Sequence, residues 1–598
     1  MNNNSSINYT TLTLRAVFFL LLIVMAGLHV KVLFRGLDSA HGMEQAVIAR
    51  EVARGNGLVT KVIRPAAVRL NQEVTDNNGT LVEACQNTYH APLQPLLLGA
   101  VFRAIRANDF DSFRPEQNQY IYELDRVVAG FAIVCLLLAI GVTYLLVCRI
   151  FDARIAATTA LLMLFCELFW QISMSGLPQM LMLLLFTCGC YFAYRAIESS
   201  EEGRVTIFHA LLAAIFFALL CLAHWLAVWI VIGYAVAAAF FIKPRGVAGI
   251  IALVAVILAA ILPIFHNIKV SGNPGGTAVL VLFEGLAGSE EYAMRSLETV
   301  PLNLRQLAVN VLRLMVTQTK DLYAYFGNII AAPIFFIALF HPFKRLSISH
   351  FRWSLLLMWI VAALGMALFG LKGGDMSPNQ LHILFAPLMG AYGLAMLSVL
   401  WSRLDFPKTV PLMGNAHLAL AVIISASPFL LRMPFDAFEA IASKEQSPPN
   451  YPPYAPSILD SSIVDFAEPD EIIASDQPWA VAWYTDRRSI WLPIKLSQLE
   501  TIENMADSEE TPVVGILTTP ISSGTRPLTE TAGFYGDYLS LMLDGWAALA
   551  TSTSPKRRLV SKEDRDLKTF YSRYPHPRVL FFRSSPMVLY TSRNPGSQ

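Results

Sequence analysis

The 598-residue chain is 55% hydrophobic and 15% charged, with a mean hydropathy of +0.49. A soluble chain would carry about 25% charged residues, which excludes a soluble α/β enzyme and implies a polytopic membrane protein. The formal net charge of +1 gives no reason to expect a nucleic-acid partner.

The first apolar run, 14–34, is too long for a cleaved signal and reads as a retained signal anchor. It opens onto "GLDSAHGMEQAVIAREVARGNG" (36–57), where Asp38, His41, Glu44 and Glu51 arrive together on what the pattern predicts as a short helix. The run 92–106 is apolar for only about a dozen residues, short for a span and suited to a helix lying at the interface. Ten further apolar segments follow, at 126–148, 155–173, 179–198, 207–222, 224–243, 247–267, 323–341, 352–370, 379–399 and 412–431. About 20 apolar residues cross a bilayer, so about 11 transmembrane helices are expected.

Basic residues in short loops set orientation. With the N-terminus inside, "CRIFDAR", "KPRG", "HPFKRLS" and "WSRLDFPK" all fall inside, although Lys31 and Arg35 at the outer end of the first helix oppose this. The loops 36–125 and 269–322 then lie outside, with everything after about residue 431. Six of the seven cysteines, Cys135 to Cys221, lie in or beside apolar segments, and Cys85 is in the first loop. None follows, so the tail has no disulfide framework, and Cys188 and Cys190 point to different sides of a helix with no metal-ligand company.

The organisation expected is a membrane domain over 1–431, a proline-rich linker over 432–457, and a small extracytoplasmic α/β domain over 458–598. Within the last, "EIIASD", "RSIWLP", "PVVGILTT", "RVLFFRS" and "MVLYTS" read as strands, with helices at 476–484 and 530–550.

The order of these features resembles the GT-C superfamily of polyprenyl-phosphate-sugar glycosyltransferases, and within it the family of dolichyl-phosphate-mannose protein mannosyltransferases and bacterial aminoarabinose transferases. Four stretches carry the resemblance: "MEQAVIAREVARGNG" (43–57), "HAPLQPLLLGAVFR" (90–103), "SMSGLPQMLML" (173–183) and "LPIFHNIKVSGNPGG" (262–276). It covers about residues 14–430. It departs at Met43-Glu44, where the family has Asp-Glu, at Gln179, where the family often has Asp, and at His90-Ala91-Pro92, where it has a proline pair.

The resemblance implies transfer of a sugar from a lipid phosphate to an acceptor on the outer face. A carboxylate would take the acceptor's proton and cations would meet the leaving phosphate. Asp38 and Glu44 are the candidates for the base, Asp38 by its position at the edge of the apolar core and Glu44 by motif. Glu51 reads as structural. Candidates for the phosphate are Arg64, Arg69, Lys269, Arg305, Lys372 and His382. His224 and His266 read as packing residues. The residues specify no cofactor; a divalent cation held by Asp38 and Glu44 is the candidate. The implied partners are a polyprenyl-phosphate sugar, a protein, lipid or glycan acceptor, and membrane lipids; the implied location is a bacterial inner membrane with the site on the periplasmic side. Two other classes compete: a flippase of lipid-linked sugars, and a membrane scaffold with an outer sensor domain. A transporter would carry ionisable residues at the midplane, and these spans are nearly free of charge.

Overall fold

The computed structural model describes residues 9–76, 79–107, 109–115, 120–283, 290–299, 303–371, 376–404, 411–442, 451, 455–464, 466–519, 533, 535–539, 541, 565–582 and 585–593. In chain order, the helices up to the first large break are α1 (Tyr9–Leu28), α2 (Ala40–Arg54), α3 (Pro65–Val74), α4 (Leu93–Ala104), α5 (Glu123–Ile150), α6 (Ala153–Leu164), α7 (Glu167–Ser175), α8 (Gln179–Glu201), α9 (Ile207–Ala223), α10 (Ala227–Phe241) and α11 (Val247–Ser271). There follow α12 (Leu280–Phe283), α13 (Glu290–Arg295), α14 (Leu304–Lys320), α15 (Leu322–Tyr325), α16 (Ala331–Ala338), α17 (Leu346–Phe369), α18 (His382–Trp401) and α19 (Ala416–Ala442). The tail adds α20 (Pro456–Ile463), α21 (Pro478–Thr485), α22 (Leu496–Ser508) and α23 (Arg565–Arg573).

Among the described residues, seven helices are long and apolar enough to cross a membrane, or eight if the α6–α7 pair, bent by 52°, is one span. The sequence reading counted about eleven segments, and the difference has local causes. At 17 and 15 residues, α9 and α10 are shorter than a bilayer requires of an upright helix. The segment 323–341 is interrupted because Gly327 (φ 65°) and Asn328 (φ 58°) take left-handed backbone that stops α15 and separates it from α16. The interfacial run becomes α4, 12 residues long and packed along α2.

At one end of the bundle lies a six-stranded sheet ordered β1-β3-β2-β4-β6-β5. Four of the tail's predicted runs form β2 (Ile472–Ser475), β3 (Arg488–Trp491), β4 (Val513–Thr518) and β6 (Ser585–Thr591), and the fifth forms β5 (His576–Phe582). The strands β1, β3, β2 and β4 are parallel, β6 and β5 antiparallel. β2 and β4 are buried along their whole length, as parallel strands covered on both faces must be. The edge strand β1 (Val62–Ile63) comes from the first loop, pairing Val62 with Ser489.

The first loop and the tail are thus one packed unit. Arg50, fully buried, donates to the carbonyls of Trp483 at 2.9 Å and Ala482 at 2.7 Å. Buried Asp125 accepts from the Trp483 indole at 2.7 Å and the Tyr484 hydroxyl at 3.1 Å. Asp486 faces Arg50 at 2.9 Å, Arg54 at 2.8 Å and Lys61 at 2.8 Å. Burial works to raise the Asp486 pKa, but these three cations outweigh it and hold the carboxyl well below its usual range. Of the linker expected over 432–457, residues 432–442 instead continue α19 and 443–450 and 452–454 lie outside the described residues, as does most of the expected helix over 530–550.

Candidate active site

Helix α2 sets the geometry. Its Gly42 is pressed against the turn after α7: a Cβ there would meet the Ser175 carbonyl oxygen at 2.1 Å. Only glycine lets the two backbones approach so closely. Two residues on, Glu44 points inward and is 1% exposed. Its two oxygens receive the Arg64 guanidinium bidentately at 2.5 Å each, and His90 Nε2 stands 3.0 Å from Oε2. Arg64 precedes α3 and lies over the Tyr89 ring, 4.2 Å from its centroid. The Asn87 side chain fixes the turn, accepting from His90 N at 3.0 Å and donating to His90 O at 2.9 Å. Burial tends to raise the Glu44 pKa, but Arg64 and His90 overcome it and hold the carboxyl far below the ordinary value. A carboxylate with both oxygens so engaged is a weak proton acceptor; what it does is fix Arg64 and His90.

Above this network opens a cavity of about 310 Å³. Its polar end carries His41, Gln45, His90, His224 and Asn267, and the rest is apolar, running between α9, α10 and α11 to Phe369. His41 stacks on Tyr89 at 5.8 Å and meets His90 edge-on at 5.6 Å. The Trp225 indole donates to the Tyr89 carbonyl at 3.1 Å and closes the box. The shape is a greasy slot ending in imidazoles.

Asp38 faces elsewhere. It lines a second cavity, of about 570 Å³, with His29, Arg35, Glu167, Arg432 and Asp436. Its carboxylate is open to this cleft, yet the surrounding protein desolvates it enough to raise its pKa to about 6. The two cavities flank the same wall: Met174 and Met376 line the charged cleft, while Pro178, Pro378 and Asn379 line the apolar one. Gln179, at the position where an acid was expected, donates to the carbonyls of Ser377 and Pro378 at 3.0 Å and braces that wall.

The sequence candidates therefore disperse. Arg64 is engaged by Glu44. Arg69 pairs with Glu73 at 3.2 Å. Lys269, in the last turn of α11, and Arg305, in the first turn of α14, are exposed. Lys372 lies outside the described residues. His382 is buried between the Trp359 indole and Gln318, with Tyr325 stacked on it at 5.4 Å, a packing environment. Glu51 bonds Arg54 and Asn56, as a structural residue would. The residues not singled out as ligands are His41, His90 and His29; His90 stood within the quoted "HAPL" run and His41 within the acidic stretch, and those runs were the available signals.

A divalent cation does not fit this arrangement. Among the described residues no group of three or more His, Cys, Asp or Glu side chains could hold one, and the Glu44 oxygens are already taken.

No family model matches the sequence, and no curated protein matches it. Solved structures do resemble the fold. The Archaeoglobus fulgidus oligosaccharyltransferase in complex with zinc and sulfate aligns at a TM-score of 0.50 and 14% identity, over 88% of this chain and 71% of that one. ArnT from Cupriavidus metallidurans in the apo state aligns at a TM-score of 0.50 and 12% identity, over 98% of this chain and 99% of that one. At such identities the likeness shows the fold alone, a polytopic helical membrane architecture.

Proposed function

We propose that this GT-C-fold chain is an integral membrane glycosyltransferase that moves a sugar from a polyprenyl-phosphate donor to an acceptor hydroxyl. One observation carries the reading: an apolar slot ending in imidazoles and a charged cleft holding an open carboxylate lie on either side of one wall at the end of the bundle. Both volumes fall within the ~300–1,000 Å³ usual for ligand sites. A lipid tail suits the slot, and the phosphate–sugar head would sit at its imidazole end.

Transfer requires the donor's sugar to reach past the edge of that wall into the charged cleft, where Asp38 takes the acceptor's hydroxyl proton and the acceptor oxygen forms a bond to the anomeric carbon. The bond from that carbon to the phosphate oxygen breaks, and the electron pair leaves on the phosphate. His41 lines the end of the slot where that charge develops, and Glu44 faces Nε2 of His90 and holds that ring at the same end. The loop charges favour an orientation with this end on the outer face, and the bacterial inner membrane is the setting that the resemblance to aminoarabinose transferases implies.

The test is transfer from radiolabelled polyprenyl-phosphate sugars by the purified full-length protein. Asp38→Asn should lose about 10²- to 10⁴-fold in rate while still binding donor. Full activity in that variant would sink the assignment of the base. Donor binding without transfer to any acceptor, in wild type, would favour a flippase.

A further inference from the structure

The end of the first span contains a feature that the proposed chemistry has not used. Helix α1 does not end in an ordinary turn but in a π-helical one, His29–Leu33, a geometry that concentrates at functional sites. It turns His29 toward the charged cleft. His29 is 1% exposed, stacked on Trp170 at 4.0 Å and 9°, with Phe429 on its other side at 5.9 Å. Its Nδ1 is 2.8 Å from the Met25 carbonyl oxygen. A carbonyl only accepts, so Nδ1 carries the proton, and in the neutral ring Nε2 carries the lone pair. The ring cannot rotate within its aromatic sandwich, and the tautomer is fixed.

The charges around it are unequal. Asp38, Glu167, Asp436 and Glu439 face the cleft against Arg35 and Arg432. Arg432 is spent on two of those acids, at 3.2 Å from Glu167 and 3.2 Å from Asp436. Among the described residues, a phosphate or carboxylate entering here would meet carboxylates with one arginine left to answer it, whereas a neutral or cationic molecule would not be repelled. Nε2 of His29, a fixed hydrogen-bond acceptor, suits a hydroxyl or ammonium hydrogen.

Building on the glycosyltransferase reading, we propose that the charged cleft is the acceptor site, that it selects hydroxyl compounds bearing no anionic group, and that His29 is a positioning residue holding them beside Asp38. The acceptor class is then neutral or amino-bearing rather than phosphorylated.

The test uses three probes of one shape: methyl glucoside, methyl glucosaminide and methyl glucoside 6-phosphate, titrated against the full-length protein in nanodiscs. The glucosaminide should bind at least about tenfold tighter than the phosphate, with the glucoside between them. His29→Phe, which keeps the aromatic sandwich, should weaken the first two by about three- to tenfold and leave the phosphate where it was. His29→Gln, which restores an acceptor near Nε2, should recover part of that loss. Equal or tighter binding of the phosphate, or no measurable binding of any probe, overturns the charge selection; a His29→Phe effect equal on all three, or none, overturns the positioning role. Labelled polyprenyl phosphate is titrated in the same preparation. Its failure to bind would break the glycosyltransferase reading, whereas normal binding with the wrong probe ranking breaks only this inference.

Discussion

Asp38 and Glu44 stand six positions apart and live in opposite worlds. Glu44 is sealed, with a guanidinium across both oxygens and an imidazole beside it. Asp38 has no ion pair among the described residues and opens onto a cleft. The first is held ionised and inert; the second is raised toward the pH at which a base both exists and wants a proton. Both follow closely on the end of the first candidate span. What separates them is whether the neighbouring chain supplied a cation.

The comparison breaks first at Asp38. Asp38→Asn should lose transfer by about 10²- to 10⁴-fold with donor binding intact, measured by label transfer and by titration of the donor. The pH profile sharpens the point: Asp38 must be ionised to act, so the rate should fall as pH drops through about 6 and level off above it. A rate flat across that window would remove Asp38 as the base.

Glu44→Gln should show as lost stability. It takes the charged partner away from the buried Arg64 guanidinium, and breaking a buried pair costs about 3–5 kcal/mol; the double variant with Arg64→Gln should regain part of it, read from thermal unfolding in detergent. The Glu44 pKa is depressed in the fold, so its contribution is present above the ordinary value of 4.5 and is lost as pH falls below it. Next comes the wall between the cavities. Gly42→Ala drives a methyl into the Ser175 carbonyl, and overpacking of that kind costs about 1–3 kcal/mol. The smallest effect belongs to exposed cations: Arg305→Gln should change stability by no more than about 0.5 kcal/mol and donor affinity by little. A large loss of donor binding there would return Arg305 to the site.

Apolar length and alternation made the spans and most of the strands readable before any coordinates, because those signals are local. The contacts that decide chemistry are not. Glu44 and Arg64 are 20 residues apart, and no spacing rule joins them. A two-residue strand such as β1 has no period to detect, so the first loop's place in the tail's sheet was invisible. His29 was hidden for another reason: inside an apolar run it reads as a packed residue until the π turn and the Met25 carbonyl show which nitrogen is open. Gln179 was noticed as a missing acid, and its real work, bracing the 377–378 backbone, lay across 198 residues of chain.

The clamp between Arg50 and the Trp483 carbonyl spans 433 residues. Chains are synthesised at about 5–20 residues per second, so the first loop waits on the order of 20–90 seconds for its partner. Through that interval an arginine destined for full burial, and a strand edge, stand exposed to whatever the compartment offers. The order of synthesis therefore makes the loop a client in need of shelter. A chain cut short before β2 would leave that loop without the β3 edge and the carbonyls that complete it, although every candidate span among the described residues is already made.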